Sequence, residues 1–128
     1  MTLTIRTDKP EAEVGLYLND AQVQYKKWQA HRQLSETIHL TIEELLNKSD
    51  KNFSGLQGII FYQGPGSFTG LRIGASVANA LSVGLGIPLV QSGNNDWIKI
   101  GLQELANGKF QIAIPDYGGE VHITKPKK

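Results

Sequence analysis

The segment from Gly58 to Gly86 constrains the fold of this chain more than any other part of the sequence. It begins with Gly-Ile-Ile-Phe-Tyr, a nearly continuous apolar run that predicts a strand buried on both faces. A glycine-rich loop follows, and apolar residues then recur at helical spacing as far as the stop signal at Gly86. A buried strand that leads through a loop into a helix is a unit of α/β proteins, so the segment predicts a central strand covered by a helix.

Strands and helices are predicted on both sides of this segment. Period-two alternation predicts an antiparallel meander near the start of the chain, and apolar residues at helical spacing predict an amphipathic helix after it. The predicted strands are Thr2–Arg6, Val14–Leu18, Gln22–Trp28, Gly58–Tyr62, Pro88–Val90, Phe110–Ile114 and Glu120–Thr124, and the predicted helices are His31–Asn47, one from the glycine-rich loop to Gly86, and Asp96–Ala106. The order βββαβαβαββ predicts a mixed α/β sheet with flanking helices.

The composition predicts one domain, residues 1–128, with a solvated and flexible tail at 125–128. Lys and Arg number 13 against 12 Asp and Glu, so the chain has no global basic field that would attract nucleic acid by itself. It contains no cysteine, which excludes disulfides and Cys-ligated zinc. The sequence shows neither a signal peptide nor a membrane span, and we expect a cytoplasmic protein.

The glycine-rich loop leaves two interpretations open. It consists of Gly64, Pro65, Gly66, Ser67, Phe68, Thr69 and Gly70. Free backbone N–H groups at the start of a helix can hold an anion, which would make the loop a phosphate site. However, the glycine spacing matches neither the dinucleotide fingerprint nor the P-loop, since no Lys-Ser/Thr pair ends it. A structural turn, with Ser67 and Thr69 capping the helix, is therefore the other interpretation.

The helix behind the loop carries the stronger functional signal. One side gathers the apolar residues that should face the sheet: Ile73, Gly74, Val77, Ala78, Leu81 and Leu85. The other side carries Arg72, Ala75, Ser76, Asn79, Ser82 and Val83, and the first helix extends this side through Ser35, His39 and Leu46. Past Arg72 the helix has no charge, and a charge-depleted face with small residues predicts a partner interface. The alternative is that another part of the same chain covers it.

The sequence resembles the TsaB family, also called YeaZ, whose members take part in making the threonylcarbamoyl modification on adenosine 37 of tRNA. Residues 64–74, Gly-Pro-Gly-Ser-Phe-Thr-Gly-Leu-Arg-Ile-Gly, are close to the family's hallmark. The likeness extends back through the helix that starts at His31 and forward through Gly86–Val90. A weaker similarity appears at Pro115–Val121, so the resemblance covers most of the chain.

The resemblance implies a ribonuclease-H-like half of the actin/sugar-kinase/heat-shock-70 architecture. It also implies a non-catalytic subunit that pairs, through its two N-terminal helices, with the related catalytic subunit TsaD. An ATPase, TsaE, joins that assembly, and the same helical face can support a homodimer. ATP and magnesium would then be used by the partner assembly and no cofactor by this chain alone, while tRNA would be contacted only indirectly.

Two departures from the family pattern affect the expected chemistry. Family members carry an Ile-Asp-Thr-like sequence on the first strand, but here Ile5-Arg6-Thr7 puts an arginine in place of the aspartate. We therefore expect no metal there. The chain also has about half the usual family length, so the family's second domain is expected to be absent. Two rival hypotheses remain: a small phosphate- or ATP-binding protein that uses Gly64–Gly70, and a homodimeric remnant with no role in modification.

No other residue pattern predicts a catalytic or metal site. His31 and His39 lie about two helical turns apart, or about 12 Å, which is too far to share one metal from the same helix. Ser67 and Thr69 lack the nucleophile-elbow sequence that would make them nucleophiles. Three acidic residues near the first turn could hold magnesium, namely Asp8, Glu11 and Glu13, but the neighbouring cations predict an ordinary charged loop.

Overall fold

A computed structural model gives the fold over residues 1–118, apart from the side chain of His31. The strands are β1 (Thr2–Arg6), β2 (Glu11–Leu18), β3 (Ala21–Gln29), β4 (Gly58–Tyr62) and β5 (Leu89–Ser92), and the helices are α1 (Leu34–Lys48), α2 (Phe68–Leu85) and α3 (Trp97–Ala106). Short 3-10 turns occupy His31–Gln33 and Phe53–Gly55. The α/β class predicted from the sequence is confirmed.

The five strands form one mixed sheet in the order β3-β2-β1-β4-β5. The first three strands pair antiparallel as a meander, while β4 and β5 are parallel to β1 and to each other. Ile5 of β1 lies opposite Val14 on one side and Phe61 on the other. Every residue of β4 is buried, so the continuous apolar run forms an internal strand as predicted.

Helices cover both faces of the sheet, and the alternation along β4 shows which helix lies where. Phe61 belongs to the core that α1 and α2 share with β1 and β2. Its neighbour Ile60 belongs instead to a second cluster, around Trp97 of α3. Because successive side chains of a strand point to opposite faces, α1 and α2 lie together on one face and α3 lies on the other.

The bounds of α2 follow from the two capping residues that flank it, Ser67 and Gly86. The Ser67 hydroxyl accepts a hydrogen bond from the Gly70 amide at 3.3 Å, which caps the start of the helix. Gly86 ends it in the left-handed conformation at φ 66°, a position that glycine fills without steric cost. No helix within residues 1–118 is both long and apolar enough to cross a membrane.

The prediction of a strand at Phe110–Ile114 is wrong, because the segment has no regular secondary structure. Its amides donate to scattered acceptors rather than to a ladder: Gln111 to the Leu89 carbonyl, Ala113 to the Asn79 side chain, and Ile114 to the Gln91 side chain. The predicted strand Glu120–Thr124 and the tail at 125–128 lie outside the described residues.

Candidate functional site

The glycine-rich loop joins β4 to α2 and is tied to the end of β1. The Ser67 amide donates a 2.8 Å hydrogen bond to the Asp8 carbonyl, so the loop runs directly over the residues that follow β1. The same residue caps α2 through its hydroxyl. Ser67 therefore has the structural role predicted for it, and it sets the direction in which α2 leaves the loop.

Three glycines are required here because β1 and its connection fill the space where side chains would stand. A Cβ atom at Gly66 would lie 2.5 Å from the Asp8 Cβ and 2.6 Å from its carbonyl oxygen. At Gly70 and Gly74 a Cβ would overlap the carbonyl and the side-chain hydroxyl of Thr7, respectively. The glycines thus bring α2 into close contact with β1.

Aromatic packing holds the exposed start of α2. The Phe68 ring lies 4.6 Å from the Tyr117 ring between centroids, although Phe68 remains 56% exposed. The Arg72 guanidinium carbon lies 5.4 Å from the Phe68 ring centroid, one turn further along the helix. This stack keeps Arg72 at the solvent-facing side of the loop.

Arg6 stands at the end of β1, where the resemblance implies an aspartate in other family members. Its Nε atom donates to the Asp8 carboxylate at 2.9 Å, and its guanidinium lies 4.0 Å above the Tyr62 ring centroid. The hydrogen bonds to Asp8 raise the pKa of Arg6 above its ordinary value. Asp8 is only 8% exposed, and its carboxylate, which lies beside the loop, is paired with Arg6.

The exposed strip of α2 agrees in part with the predicted outer face. Arg72, Ser76 and Val83 are exposed, and Val83 reaches 81% exposure. Ala80 is also exposed on this side, and the sequence analysis missed it. Its position between Ser76 and Val83 in the helical repeat was the available signal. The outer strip of α2 therefore consists of Arg72, Ser76, Ala80 and Val83.

The other three residues assigned to this face are turned towards the chain itself. Ala75 is 5% exposed and packs in the core, so its assignment to the outer face is wrong. Asn79 is half-buried and forms two hydrogen bonds with the Ala113 backbone, at 3.0 and 2.7 Å. Ser82, also half-buried, donates to the Ile87 carbonyl. Along this flank of α2, the alternative that the same chain covers the helix is correct.

The first helix shows the same division. Ser35 and His39 are exposed as predicted, but Leu46 is fully buried in the core and does not belong to the face. A groove of about 400 Å³ separates α1 from α2. The apolar residues of this groove belong to α2, and residues of both helices line it: Ser35, His39, Thr69, Arg72, Ile73, Ser76 and Val77. Of the nine residues predicted for the partner interface, five are exposed as expected: Ser35, His39, Arg72, Ser76 and Val83.

The acidic residues near the first turn do not form a metal site. Asp8 pairs with Arg6, Glu13 accepts a 2.9 Å hydrogen bond from the Tyr25 hydroxyl, and Glu11 lies 3.8 Å from the Lys27 ammonium. Over residues 1–118, no group of three or more histidine, aspartate or glutamate side chains is placed to hold a metal ion. The third histidine of the chain, His122, lies outside the described residues.

The sheet order and the placement of the helices define the class of this protein as a ribonuclease-H-like α/β domain. The family model described as "TsaD: tRNA N6-adenosine threonylcarbamoyltransferase" matches residues 28–92, which is half of the chain. The chain therefore belongs to this family. The predicted resemblance to TsaB is confirmed by relatives that carry that name.

Sequence relatives of both names match the chain. It is 37% identical over 95 residues to a tRNA N6-adenosine threonylcarbamoyltransferase of Geotalea daltonii, which covers 73% of this chain and 28% of the relative. A TsaB protein of Buchnera aphidicola is 43% identical over 56 residues, 42% of this chain and 25% of that protein. The TsaB protein of Escherichia coli is 30% identical over 88 residues, 69% of this chain and 38% of that protein.

A solved structure supports the fold independently. YeaZ from Pseudomonas aeruginosa superposes with a TM-score of 0.67 at 24% identity, covering 73% of this chain and 43% of that one. At that identity the similarity establishes the fold alone. The chain spans less than half the length of the sequence relatives and of this structural neighbour.

Proposed function

We propose that this chain is a non-catalytic subunit that supports threonylcarbamoyl modification of adenosine 37 in tRNA by binding a TsaD-like catalytic protein. The binding surface consists of the outer strip of α2, the exposed residues Ser35 and His39 of α1, and the groove between them. The names of the TsaB relatives supply the process. The proposed mode of action, binding of a partner protein, is inferred from the exposed face of α1 and α2.

The observation that carries the proposal is the composition of the outer strip of α2. Beyond Arg72 it presents only Ser76, Ala80 and Val83 to solvent, with no charge. Leu40 of α1 is likewise 65% exposed. A solvated helix normally carries charged residues on its outer side, whereas depletion of charge and exposed apolar side chains are typical of the centre of an interface.

The choice of a non-catalytic role rests on the end of β1. Relatives named as the transferase also match this chain, so the family alone does not distinguish subunit from enzyme. Arg6 replaces a carboxylate with a cation that is engaged by Asp8 and Tyr62. The loop glycines Gly66 and Gly70 pack directly against Asp8 and Thr7. This packing favours a structural turn over a phosphate-binding site. ATP and magnesium would be used by the partner assembly.

The wider assembly follows the family pattern as part of the same proposal. A TsaE-like ATPase would join the pair, tRNA would be bound mainly by the catalytic partner, and the chain would act in the cytoplasm. A homodimer through the same two helices would compete with the heterodimer, because both would cover the outer strip of α2. Exclusive binding of one partner at a time is therefore expected.

The test replaces Ser76 with arginine and measures association with the TsaD-like protein of the same genome. Ser76→Arg places an unpaired charge at the centre of the face, and burying such a charge costs roughly 2 to 5 kcal/mol. Each 1.4 kcal/mol is about tenfold, so the dissociation constant should rise at least about tenfold. Gln103→Arg on α3 is the matched control, since this exposed residue lies on the opposite face of the sheet. Undiminished association of Ser76→Arg would contradict the assigned face.

Two further measurements separate the proposal from its rivals. Deletion of the gene should lower threonylcarbamoyladenosine in total tRNA, measured by mass spectrometry of nucleosides. Normal levels would favour a remnant without a modification role. Isothermal titration of the chain alone with ATP should give no heat of tight binding, and a clear binding isotherm would favour a phosphate-binding protein instead.

A further inference from the structure

A second depression lies next to the loop, beside the groove between α1 and α2. The second depression has a volume of about 460 Å³ and shares Thr69 and Ile73 with the first. Its remaining lining comes from the β1–β2 connection, the residues that precede α1, and the start of α2: Lys9, Pro10, Ala30, Arg32, Leu34, Ser67 and Gly70. The two depressions adjoin at the shared residues Thr69 and Ile73, and we call them together the basic groove.

The charges along the basic groove all have one sign. Lys9 and Arg32 line the second depression and Arg72 lines the first, and within residues 1–118 no carboxylate lines either. The whole chain carries 13 Lys and Arg against 12 Asp and Glu, so this segregation is local and does not follow from composition. The groove therefore has a positive potential on a nearly neutral molecule.

These cations have no ion-pair partner among the residues that the structure describes. Among residues 1–118, none of the three lies within 4.0 Å of a carboxylate oxygen, although three such ion pairs form elsewhere on the molecule. Glu36 lies in the first turn of α1, four residues after Arg32, and it lines neither depression. An anionic group that enters the basic groove would meet cations whose charge is not already compensated.

The walls of the groove are apolar as well as cationic. Leu34, Ile73 and Val77 contribute to its lining. Nucleic acid would be bound mainly through phosphates, with many cations along an extended track. Three cations beside aliphatic side chains instead match a protein segment that combines carboxylates with apolar residues.

On this basis we infer that the basic groove binds an acidic, partly apolar segment of the TsaD-like partner, and that Lys9, Arg32 and Arg72 pair with its carboxylates. The inference rests on the proposed function, since it names the chemistry of the surface that the partner must present. It adds a part to the interface, because Lys9 and Arg32 lie beside the helix pair and outside the face assigned from the sequence.

The experiment measures binding of the full chain to the TsaD-like protein at about 0.1 M and about 1 M NaCl, where the Debye length falls from about 10 Å to about 3 Å. The double variant Arg32→Glu/Arg72→Glu should bind at least about tenfold more weakly than the wild type at the lower salt concentration. The control Lys99→Glu/Lys109→Glu makes the same change in net charge at exposed residues away from the groove, and should bind as the wild type does. The wild-type dissociation constant should also rise with salt, and the groove variant should lose that dependence.

Each result is decisive for the inference. Equal binding by both double variants, with no salt dependence, would overturn the carboxylate pairing and leave the proposed function standing. No association of the wild type at either salt concentration would overturn both.

A mobility-shift assay with an unmodified tRNA transcript tests whether the groove binds nucleic acid instead. If the groove variant lost tRNA binding but kept wild-type affinity for the partner, the groove would be a nucleic-acid site and the inference would fail. Equal thermal unfolding of all variants excludes loss of the fold.

Discussion

The inner and the outer sides of α2 carry similar small residues for opposite reasons. On the inner side, Gly70 and Gly74 are small because Thr7 leaves no room for a side chain. On the outer side, Ser76 and Ala80 are exposed to solvent. Further along the same helix, a Cβ at Gly84 would meet nothing within 4 Å. Small residues therefore indicate close packing on one side of this helix and room for another chain on the other.

The comparison extends to α1 and gives a general lesson about such helices. Leu46 is fully buried in α1, whereas Leu40 is 65% exposed. Residue type is the same in both places, and only the surroundings differ. Substitutions on the inner side should therefore lower the free energy of unfolding, and those on the outer side should leave the fold intact and act mainly on binding.

The largest expected effect comes from leucine truncation in α1. Leu46→Ala removes a side chain from the core and should lower the free energy of unfolding by about 3 kcal/mol. Leu40→Ala removes the same atoms from an exposed position and should change it by less than about 0.5 kcal/mol. Urea denaturation of both variants measures the difference. Equal destabilisation would mean that the outer side of α1 contributes to folding after all.

Alanine substitutions at two glycines of α2, Gly74 and Gly84, should change the free energy of unfolding in opposite directions. Both changes should be smaller than that of Leu46→Ala. In Gly74→Ala the new methyl group meets the buried Thr7 side chain and lies 3.0 Å from the Phe61 ring, so overpacking should cost about 2 kcal/mol. Gly84→Ala adds a methyl group in open space and should stabilise the helix by up to about 1 kcal/mol. Thermal unfolding compares the two variants. Destabilisation by both would show that the free side of the helix is also constrained.

The flank of α2 that faces its own chain should show an intermediate effect. Asn79→Ala removes both hydrogen bonds to the Ala113 backbone and leaves partly buried groups unsatisfied, so the cost should be about 1.5 kcal/mol. Amide hydrogen exchange of Ala113 should also accelerate. Ser76→Ala, one turn earlier on the exposed side, is the control. If Asn79→Ala proved as harmless as the control, the contact would not hold residues 110–114 against the helix.

The smallest expected effect concerns the substitution that should matter most for binding. Ser76→Arg stands on the exposed strip and should alter the free energy of unfolding by less than about 0.5 kcal/mol. Circular dichroism during thermal unfolding checks this on the same preparation used for the association assay. A large loss of stability would place Ser76 on the inner side and remove the basis for assigning it to the interface.

Much of the fold was predictable because local patterns and the final packing agree. The apolar run of β4, the cap at Ser67 and the stop at Gly86 each have a local physical cause. Residues at the margin of a helical face were less predictable. Ala75 and Leu46 lie near the boundary between buried and exposed sides, and neighbouring elements decide which side they join. Helical periodicity gives the direction of a face but not its width.

Long-range contacts account for the remaining differences. Asn79 forms hydrogen bonds with Ala113, 34 residues further along the chain, and no local sequence pattern predicts that contact. Phe110–Ile114 alternates like a strand without forming one, because two of its amides donate to the side chains of Asn79 and Gln91 rather than to a neighbouring strand. The resemblance to a family predicted the face, and the structure shows that the cations Lys9 and Arg32 line a depression beside it.

The packing of Gly70 and Gly74 against Thr7 has a consequence for how such a protein can change over time. Because contacts outside the outer strip fix the position of α2, the exposed residues of that strip can be replaced without loss of the fold. A lineage could therefore alter its choice of partner through a few surface mutations, each accepted or rejected by affinity rather than by folding.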